Sequence, residues 1–444
     1  MISDKKNVFV FGADPFNMKK LKALQVARHC RFHELFSHRE VKAGPEIPVR
    51  MLYEKGLDRL RSFTGSVDAI VGYWDFPVST MLPLLRQPFA LPSPNYEAVL
   101  KCEHKYWSRL EQSKAVPDYV PDYCLLDPFS DDYAARISVD YPFWIKPVKS
   151  ASSYLGFKVR NRAELDKAIA SIRANIFRFA NPFNYLLQFA DLPPEVAGAD
   201  GNHCIVESII SSGRQCTLEG YVHNHQVNVY GVVDSIREGK HRSSFARYQY
   251  PSNIPRRIQG QMIAVTAAFM KHIGFNDGPF NIEFYWEPRS GRLWLLEINT
   301  RISKSHCPLF EKVDGASNQQ VMLQLALGEE PDFPHRQGEH RLAAKFMWRV
   351  YRDAVVESVP DHEVLRELEQ RFPGAEVQFH LEPGMRLSDL PDQDSYSYEI
   401  GVIFLGGTSQ RELLKQYRDL KQSLAIRLQP LSDQSGQQQR AMVS

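Results

Sequence analysis

The stretch that decides the fold is Gly278-Pro-Phe-Asn-Ile-Glu-Phe-Tyr-Trp-Glu-Pro-Arg-Ser-Gly-Arg-Leu-Trp-Leu-Leu-Glu-Ile-Asn-Thr-Arg301. Two apolar runs flank a turn at Pro288-Arg289-Ser290-Gly291, and a short loop with a left-handed Gly commonly closes a β-hairpin. Because alternate strand residues point to opposite sides of a sheet, the hairpin is expected to have one apolar face. In the expected register this face contains the facing pairs Ile282 with Ile298, Phe284 with Leu296, and Trp286 with Trp294.

The other face of the hairpin carries Glu283 directly opposite Glu297, with Asn299 next along the second strand. Two carboxylates paired across a ladder repel each other, so they do not stabilise a sheet. Hard oxygen ligands from neighbouring strands are what Mg²⁺ needs when it also holds nucleotide phosphates. The pattern predicts a magnesium site at Glu283, Glu297 and Asn299, and the structural alternative is two solvated carboxylates. Asn281 lies on the same face and is a candidate for substrate contact.

Composition places the chain among globular proteins of several domains. Its 444 residues exceed what one hydrophobic core supports, and contents of 43% hydrophobic and 24% charged residues are ordinary. A net charge of +2 argues against nucleic acid as a partner, and no apolar run is long enough to span a bilayer, so no membrane partner is expected. The six cysteines form no Cys-x-x-Cys pair, and the N-terminus lacks a signal-peptide pattern; both predict a cytoplasmic protein.

The pattern of elements predicts a mixed α/β and α+β chain in four domains. Strands alternate with helices over residues 1–95, which indicates a small parallel-sheet domain. Residues 96–203 are expected to form a second domain, in which residues 177–203 have no clear period and are predicted to be a long, partly mobile insertion. Antiparallel strands dominate the third domain, 204–335, and a small α+β domain follows over 336–430. The tail 431–444, rich in Gln and Ser, is predicted to be disordered.

Four elements stand in a fixed order along the chain. The first is Lys105 on a helix after Pro94, and the second is Lys146 at a strand end, followed by a Ser-rich loop that ends in Gly156. The third is Glu207-Ser-Ile-Ile210, and the last is Glu283 with Glu297-Ile-Asn-Thr-Arg301. This order resembles the ATP-grasp superfamily, which includes L-amino-acid ligases, D-alanine–D-alanine ligase and biotin carboxylase. The resemblance covers about residues 93–327 and implies an ATP-grasp fold with an N-terminal pre-ATP-grasp domain.

The resemblance also implies an ATP site. Lysines from two elements can offset the charge of a triphosphate without a Walker motif, which this chain lacks. The remaining implied ATP contacts are the phosphate loop, the adenine segment and a ribose contact: Ser152, Ser153 and Gly156; Glu207 to Ile210; and Gln215. Many family members have Glu at the position of Gln215, and the phosphate loop contains fewer glycines than is usual. For Lys105, the alternative is a solvated helix lysine.

By resemblance, Arg301 is the catalytic residue, stabilising an acyl phosphate and a later oxyanion. Glu219, Arg247 and Asn281 are the candidate substrate contacts. The implied activity is an ATP-dependent carboxylate–amine ligase, of amino-acid or dipeptide type, that forms an amide and releases ADP and phosphate. Its expected cofactors are ATP and Mg²⁺, with two ions as the expected number and Mn²⁺ as an alternative. Its expected partners are a small carboxylate and an amine, and a homodimer is one option for its assembly.

Two alternatives to this activity remain open. One is a bicarbonate-activating carboxylase like biotin carboxylase, although that class continues with Gln-x-Glu-His where this chain has Ile302-Ser-Lys-Ser-His306. The other is an ATP-binding regulatory protein without ligation, which the joint presence of Lys146, the acidic pair and Arg301 disfavours. The acid, the amine and the pathway are not specified by the sequence.

Overall fold

A computed structural model describes residues 5–42, 46–151, 154–211, 213–238, 244–379, 381–390, 393 and 397–431. The chain forms two compact units. The first unit consists of Met1–Val232, Ile254–Lys304 and Ser317–Phe333, and the second of Val233–Asn253, Ser305–Ala316 and Pro334–Ser444. The finer division into four domains, with boundaries near residues 95, 203 and 335, stays a prediction.

The first unit begins with the expected parallel sheet. Three strands lie in the order β2-β1-β3, and the central strand β1 pairs in parallel with both neighbours. Apolar side chains from its strands and helices fill one core. The elements are β1 Lys6–Ala13, α1 Pro15–Ala23, β2 Cys30–Ser37, α2 His38–Val41, α3 Val49–Arg61, β3 Ala69–Val71 and α4 Val78–Arg86.

A second, antiparallel sheet of the first unit has the strand order β4-β7-β5-β6. Its apolar residues pack against helix α7. The elements of this segment are α5 Tyr96–Glu103, α6 Lys105–Ala115, β4 Tyr123–Leu126, β5 Phe143–Pro147, β6 Phe157–Val159, α7 Arg162–Asn175, α8 Phe177–Leu187, α9 Pro194–Ala197 and β7 Cys204–Ser208.

Residues 96–115 form two helices rather than the single helix that their periodicity predicts. His104 separates α5 from α6 with an extended backbone (ψ 102°), and its Nδ1 accepts a hydrogen bond from the Trp107 N–H at the start of α6. Its Nε2 lies 2.6 Å from the Ala199 carbonyl oxygen. Burial lowers the pKa of His104 to about 4, so a neutral ring makes both contacts. The break places Lys105 at the first position of α6.

The predicted mobile insertion at 177–203 is wrong for residues 177–187, which form helix α8. Phe179, Phe183 and Leu186 are spaced i, i+4 and i+7, and they are buried in the same core as the N-terminal sheet. This spacing is helical. Pro182 lies in the middle of the segment, however, and an interior proline usually argues against a helix. Burial of one apolar face therefore determines the helix.

The strands that carry the candidate site belong to a third sheet. Within the first unit their order is β12-β11-β8-β9, and the inward residues pack on helix α10 through a shared apolar cluster. The elements of residues 214–326 are β8 Arg214–His223, β9 Gln226–Glu238, β10 Ser244–Tyr250, α10 Arg256–Ile273, β11 Gly278–Trp286, β12 Leu293–Asn299, α11 Cys307–Asp314 and α12 Gln319–Ala326. Of these, β10, α11 and the end of β9 belong to the second unit.

Strands β11 and β12 form the predicted hairpin, and Gly291 in its turn has a left-handed φ of 74°. Glu283 pairs with Glu297 and Ile282 with Ile298, as expected. The pairs Phe284 with Leu296 and Trp286 with Trp294 are wrong: Phe284 pairs with Leu295 and Trp286 with Leu293. Leu296 is an extra residue in β12, so a β-bulge separates the two halves of the ladder.

The second unit continues with the last residues of β9, then β10, β13, β16 and β15 in that order, beside a separate β14-β17 pair. One apolar cluster fills it, consistent with the predicted α+β character of the C-terminal segment. The remaining elements are β13 Leu342–Val350, β14 Ala354–Ser358, α13 His362–Arg371, β15 Glu376–Phe379, β16 Tyr398–Gly407, α14 Gln410–Ser423 and β17 Arg427–Pro430. Most of the predicted disordered tail, residues 432–444, lies outside the described residues. No described helix combines the length and apolarity needed to cross a membrane.

A buried carboxylate connects four segments of the first unit. Glu103, the last residue of α5, accepts hydrogen bonds from Thr80 Oγ1 (2.6 Å) and Thr300 Oγ1 (3.0 Å), and it forms an ion pair with Lys149. The Glu103 and Lys149 side chains are both only 4% exposed. Because a buried charge needs a partner, these contacts hold α4, α5, the loop after β5 and the end of β12 together.

We expect Glu103→Gln to destabilise the first unit strongly. The amide keeps the shape of the side chain but removes the carboxylate that pairs directly with the buried Lys149 ammonium, which costs about 3–5 kcal/mol. The measurement is the midpoint of unfolding in urea, followed by circular dichroism.

The double variant Glu103→Gln/Lys149→Met provides the matched control, because it removes the uncompensated charge as well. We expect it to recover most of the lost stability. A double variant no more stable than Glu103→Gln would show that the ion pair is not the source of the effect.

Candidate active site

Two acidic residues face the same side of the hairpin. The Glu283 and Glu297 positions are paired across β11 and β12, which places their Cβ atoms about 5 Å apart. Asn299 lies two residues further along β12 and pairs with Asn281. In the described part of the chain, no three His, Cys, Asp or Glu side chains gather closely enough to hold a metal ion. Two carboxylates and one amide oxygen fit a hard divalent cation that takes its remaining ligands from phosphate oxygens and water.

Lys105 approaches this acidic face from the start of α6. Its Nζ lies 3.2 Å from Glu297 Oε1 and donates a hydrogen bond to the Ser150 carbonyl oxygen at 3.0 Å. The Lys105 side chain is 11% exposed, so the alternative of a solvated helix lysine is wrong. Burial alone would raise the pKa of Glu297, but the Lys105 and Lys146 cations lower it, and the carboxylate stays ionised and able to bind a metal.

Lys146 at the end of β5 belongs to a second, more deeply buried group of charges. Its Nζ lies 2.7 Å from Glu207 Oε2 on the neighbouring strand β7, and Glu207 Oε1 accepts a hydrogen bond from Arg109 Nε at 2.6 Å. Burial alone would raise the pKa of Glu207, but the Arg109 and Lys146 cations lower it to about 2. The ion pair explains how a lysine is tolerated at a buried strand end.

Arg109 also reaches the β-bulge next to the face that carries Glu283, Glu297 and Asn299. Its two terminal nitrogens donate hydrogen bonds to the carbonyl oxygens of Leu295 (2.8 Å) and Leu296 (2.9 Å). The bulge removes these carbonyls from regular pairing with β11, and the buried guanidinium compensates for this loss. One residue of α6 therefore connects Glu207 to the backbone immediately before Glu297.

Gln215 on β8 contacts Glu283 of the acidic pair directly. Its Nε2 donates a hydrogen bond to Glu283 Oε2 at 2.6 Å, and its Oε1 accepts one from the Tyr285 hydroxyl at 2.8 Å. A glutamate at this position would add a third carboxylate to the acidic pair, whereas the glutamine contributes a donor. Gln215 thus orients Glu283 in this structure, and its predicted contact with the ribose stays a prediction.

The two asparagines and Arg301 form a chain of hydrogen bonds along the edge of the face. Asn299 Nδ2 donates to Asn281 Oδ1 (3.0 Å), and Asn281 Nδ2 donates to the Arg301 carbonyl oxygen (2.8 Å). Arg301 donates in turn to Asn299 Oδ1 at 3.4 Å. Asn281 is buried, and these contacts use it to orient Asn299; its predicted contact with substrate stays a prediction.

Asp75, from the loop before α4, holds the guanidinium of Arg301. Arg301 Nη2 lies 3.0 Å from Asp75 Oδ2. Burial would raise the pKa of Asp75, but the Arg301 and Lys149 cations hold it well below its ordinary value, so the pair is ionic at neutral pH. The N-terminal sheet region therefore contributes a charge beside the predicted catalytic arginine.

Glu219 is fully buried two alternations from Gln215 on β8, at the position that pairs with Asn281. Its Oε2 accepts hydrogen bonds from the Tyr230 hydroxyl (2.9 Å) and Asn318 Nδ2 (3.3 Å). A buried carboxylate that accepts hydrogen bonds from neutral donors suits a cationic ligand. Its predicted role toward a substrate ammonium stays a prediction.

The remaining predicted residues lie apart from these contacts or outside the described chain. Ser152 and Ser153 fall outside the described residues. Leu155, just before Gly156, has a left-handed φ of 54°, so the phosphate loop turns at the leucine. Ile210 is buried after β7. Arg247 lies in the second unit. Its side chain is buried, and its guanidinium carbon lies 5.7 Å from the centre of the Phe346 ring. The ATP contacts of Ser152, Ser153, Gly156 and Ile210 and the substrate contact of Arg247 stay predictions.

Sequence reasoning missed four charged residues of the site. Arg109 carries a detectable signal, since it lies one helical turn after Lys105 and points to the same side of α6. Glu103 and Lys149 pair across 46 residues, and Asp75 meets Arg301 across 226 residues. No local spacing connects residues this far apart, so only the assembled fold shows their contacts.

Comparison with known proteins identifies the domain that holds Lys146, Glu207, the acidic pair and Arg301. Residues 139–307 match the family model of the ATP-grasp domain. The fold is similar to that of an L-amino acid ligase from Bacillus licheniformis, with a TM-score of 0.72 and 19% identity, covering 96% of this chain and 99% of that chain. It is also similar to the biotin carboxylase domain of the 2-oxoglutarate carboxylase of Hydrogenobacter thermophilus. That likeness has a TM-score of 0.64 and 14% identity, covering 96% of this chain and 91% of that chain.

Among curated proteins, the carbamoyl phosphate synthase large chain of Acidobacterium capsulatum is 22% identical over 305 residues. The match covers 68% of this chain and 24% of that protein, so it spans about a quarter of the relative's length. The chain therefore contains an ATP-grasp domain and has the fold of the ATP-grasp superfamily, which confirms the resemblance predicted from its sequence.

Proposed function

We propose that the chain is an ATP-dependent carboxylate–amine ligase that forms an amide bond through an acyl phosphate. The observation that carries this proposal is the single face formed by Glu283, Glu297 and Asn299, with Arg301 beside it and Lys105 in contact with it. An acidic face binds a metal, and the adjoining cations suit a substrate that carries phosphates. The structural likeness to an L-amino acid ligase supports an amino-acid type of substrate.

Glu283, Glu297 and Asn299 would hold Mg²⁺. When bound there, the ion supplies charge neutralisation for the phosphate oxygens of ATP. Gln215 keeps the Glu283 carboxylate oriented toward this position, and Asn281 does the same for the Asn299 amide. Lys105 and Lys146 place two further positive charges within reach of the phosphates.

The first step is transfer of the γ-phosphoryl group. An oxygen of the substrate carboxylate attacks the γ-phosphorus, the bond to the β–γ bridging oxygen breaks, and ADP leaves with that electron pair. The protein acts here by positioning and by electrostatic stabilisation, since the step needs no covalent bond to a side chain. Lys105 and Lys146 would offset the charge that develops on the phosphoryl oxygens.

The second step forms the amide. The amine nitrogen attacks the carbonyl carbon of the acyl phosphate, phosphate leaves, and the nitrogen gives up a proton to solvent. The Arg301 guanidinium would stabilise the negative charge that develops on the carbonyl oxygen. Glu219 lies on β8 at the position that pairs with Asn281, and its buried carboxylate would bind a substrate ammonium there. An acid that also carries an ammonium is an amino acid.

We expect Glu297→Gln to abolish ligation, because the variant removes a charged metal ligand while keeping the shape of the side chain. The rate of ADP and phosphate release should fall by at least about 100-fold. The assay measures both products with Mg²⁺, a panel of amino acids as acids, and added amines. Release that requires an acid and an amine together supports the ligase.

Glu287→Gln is the matched control, since Glu287 lies in the turn of the same hairpin and its carboxylate contacts only Ser290 in the described hydrogen bonds. It should retain the wild-type rate. Release that needs bicarbonate alone would instead identify a carboxylase. ATP binding without turnover for any acid and amine would contradict the proposed ligation.

We expect Gln215→Ala to weaken Mg²⁺ binding, because Glu283 loses the donor that orients its carboxylate. The Mg²⁺ concentration that gives half-maximal rate should rise by about 10- to 100-fold, and excess Mg²⁺ should restore the rate. The measurement is a Mg²⁺ titration of ADP release at fixed ATP.

Tyr285→Phe tests the same chain of contacts one step further out, since it removes only the hydroxyl that donates to Gln215. It should shift the titration in the same direction by a smaller factor. If Gln215→Ala raises only the KM for ATP at saturating Mg²⁺, the glutamine contacts the nucleotide, as the sequence predicts, and does not act through Glu283.

A further inference from the structure

A small cavity lies beside the side chain of Arg301. Its volume is about 20 Å³, and its lining includes Gly72, Ser79, Thr300 and Arg301. This volume matches one water molecule and is too small for a substrate. The cavity is therefore a space for water next to Arg301 and not a place for substrate.

Two of the residues that line this cavity each have a buried polar atom. Within the described part of the chain, neither Ser79 Oγ nor Arg301 Nε has a hydrogen-bond partner. Ser79 is 3% exposed and the Arg301 side chain is 16% exposed. Buried donors and acceptors are almost always satisfied, by ordered water where protein atoms do not reach. A water in the cavity would accept a hydrogen bond from Nε and exchange one with the serine hydroxyl.

The other nitrogens of the guanidinium already have partners. Nη2 donates to Asp75 Oδ2 at 3.0 Å, and Nη1 donates to the Ile302 carbonyl oxygen at 3.3 Å. Asp75 is itself fixed, because its Oδ1 accepts a hydrogen bond from the Phe76 N–H at 2.7 Å. The Nε–H group is on the third side of the planar guanidinium, so a partner for it would fix the orientation of the group.

Asp75 and Ser79 belong to one short segment, the loop and first turn of α4 in the N-terminal sheet region. We propose that this segment positions the Arg301 guanidinium from two sides, Asp75 through the ion pair and Ser79 through one water molecule bound in the cavity. The proposal rests on the proposed function, in which Arg301 stabilises charge on the carbonyl oxygen. Asp75 and Ser79 are positioning residues, since they act on the reaction through Arg301.

Kinetics of single and double variants test the positioning. Asp75→Asn and Ser79→Val should each lower kcat, by about 10- to 100-fold for the aspartate, and leave the KM for ATP within about twofold. In an Arg301→Met background, Asp75→Asn should have little further effect on kcat, because the cation that Asp75 positions is gone. Losses that multiply in the double variant, or a raised KM for ATP with kcat unchanged, would overturn the proposal.

Asp68→Asn is the matched control. Asp68 lies in the same sheet region and forms an ion pair with Lys6 at 3.6 Å. The same substitution there removes an ion pair of the N-terminal region away from Arg301. It should leave kcat unchanged, and an equal loss in both variants would show that the effect of Asp75→Asn is general destabilisation.

Crystallography at high resolution provides a readout that does not need turnover. The wild-type structure should show one water within hydrogen-bonding distance of Ser79 Oγ and Arg301 Nε, and Ser79→Val should exclude it. The guanidinium should rotate or become disordered in Asp75→Asn. A dry cavity in the wild type, or an unmoved guanidinium in Asp75→Asn, would refute the positioning. Failure of the wild type to ligate any acid and amine would refute the proposed function alone, because this readout remains.

Discussion

Mutual repulsion between Glu283 and Glu297 is the constraint on which the rest of the site depends. The two positions face each other across one ladder, where like charges destabilise a sheet. The surrounding structure compensates for this with a cation on one side and a neutral donor on the other: Lys105 contacts Glu297, and Gln215 donates to Glu283. Glu297 is thus kept ionised, and Glu283 is kept oriented. An arrangement that costs stability and is supported by specific neighbours is typical of a functional site.

The β-bulge at Leu296 lets β12 carry an apolar side and the acidic side together. Leu293 and Leu295 before the bulge and Ile298 after it all belong to the apolar cluster on α10. Two residues lie between Leu295 and Ile298, whereas regular alternation places an odd number between side chains on the same side of a strand, so one residue is extra. The extra residue lets β12 bury all three and still present Glu297 and Asn299 to the other side. Its freed carbonyls then need donors, and Arg109 supplies them from α6 while it also pairs with Glu207.

Local chemistry in the sequence was enough to predict the hairpin and the pairing of Glu283 with Glu297. Alternation at Glu283 and Glu297 is a short-range property, and it survives because the bulge lies beyond the pair. The features that escaped prediction depend on contacts between distant residues. The break at His104 requires the Ala199 carbonyl as a partner, helix α8 requires the apolar core beneath Phe183, and the pairing of Arg301 requires Asp75. No window of sequence contains both members of such a pair.

The cations around the site are already matched to carboxylates: Lys105 to Glu297, Lys146 and Arg109 to Glu207, Lys149 to Glu103, and Arg301 to Asp75. Unpaired buried charges would be costly, so the site is stable before any ligand binds. ATP would bring its negative charge together with Mg²⁺, and the ion would offset part of that charge. Among these pairs, Lys105 with Glu297 is the one that joins a phosphate-binding candidate to a metal-binding candidate. Binding would therefore separate this pair, giving the carboxylate to the metal and the lysine to the phosphate, while the remaining pairs keep the surrounding residues in place.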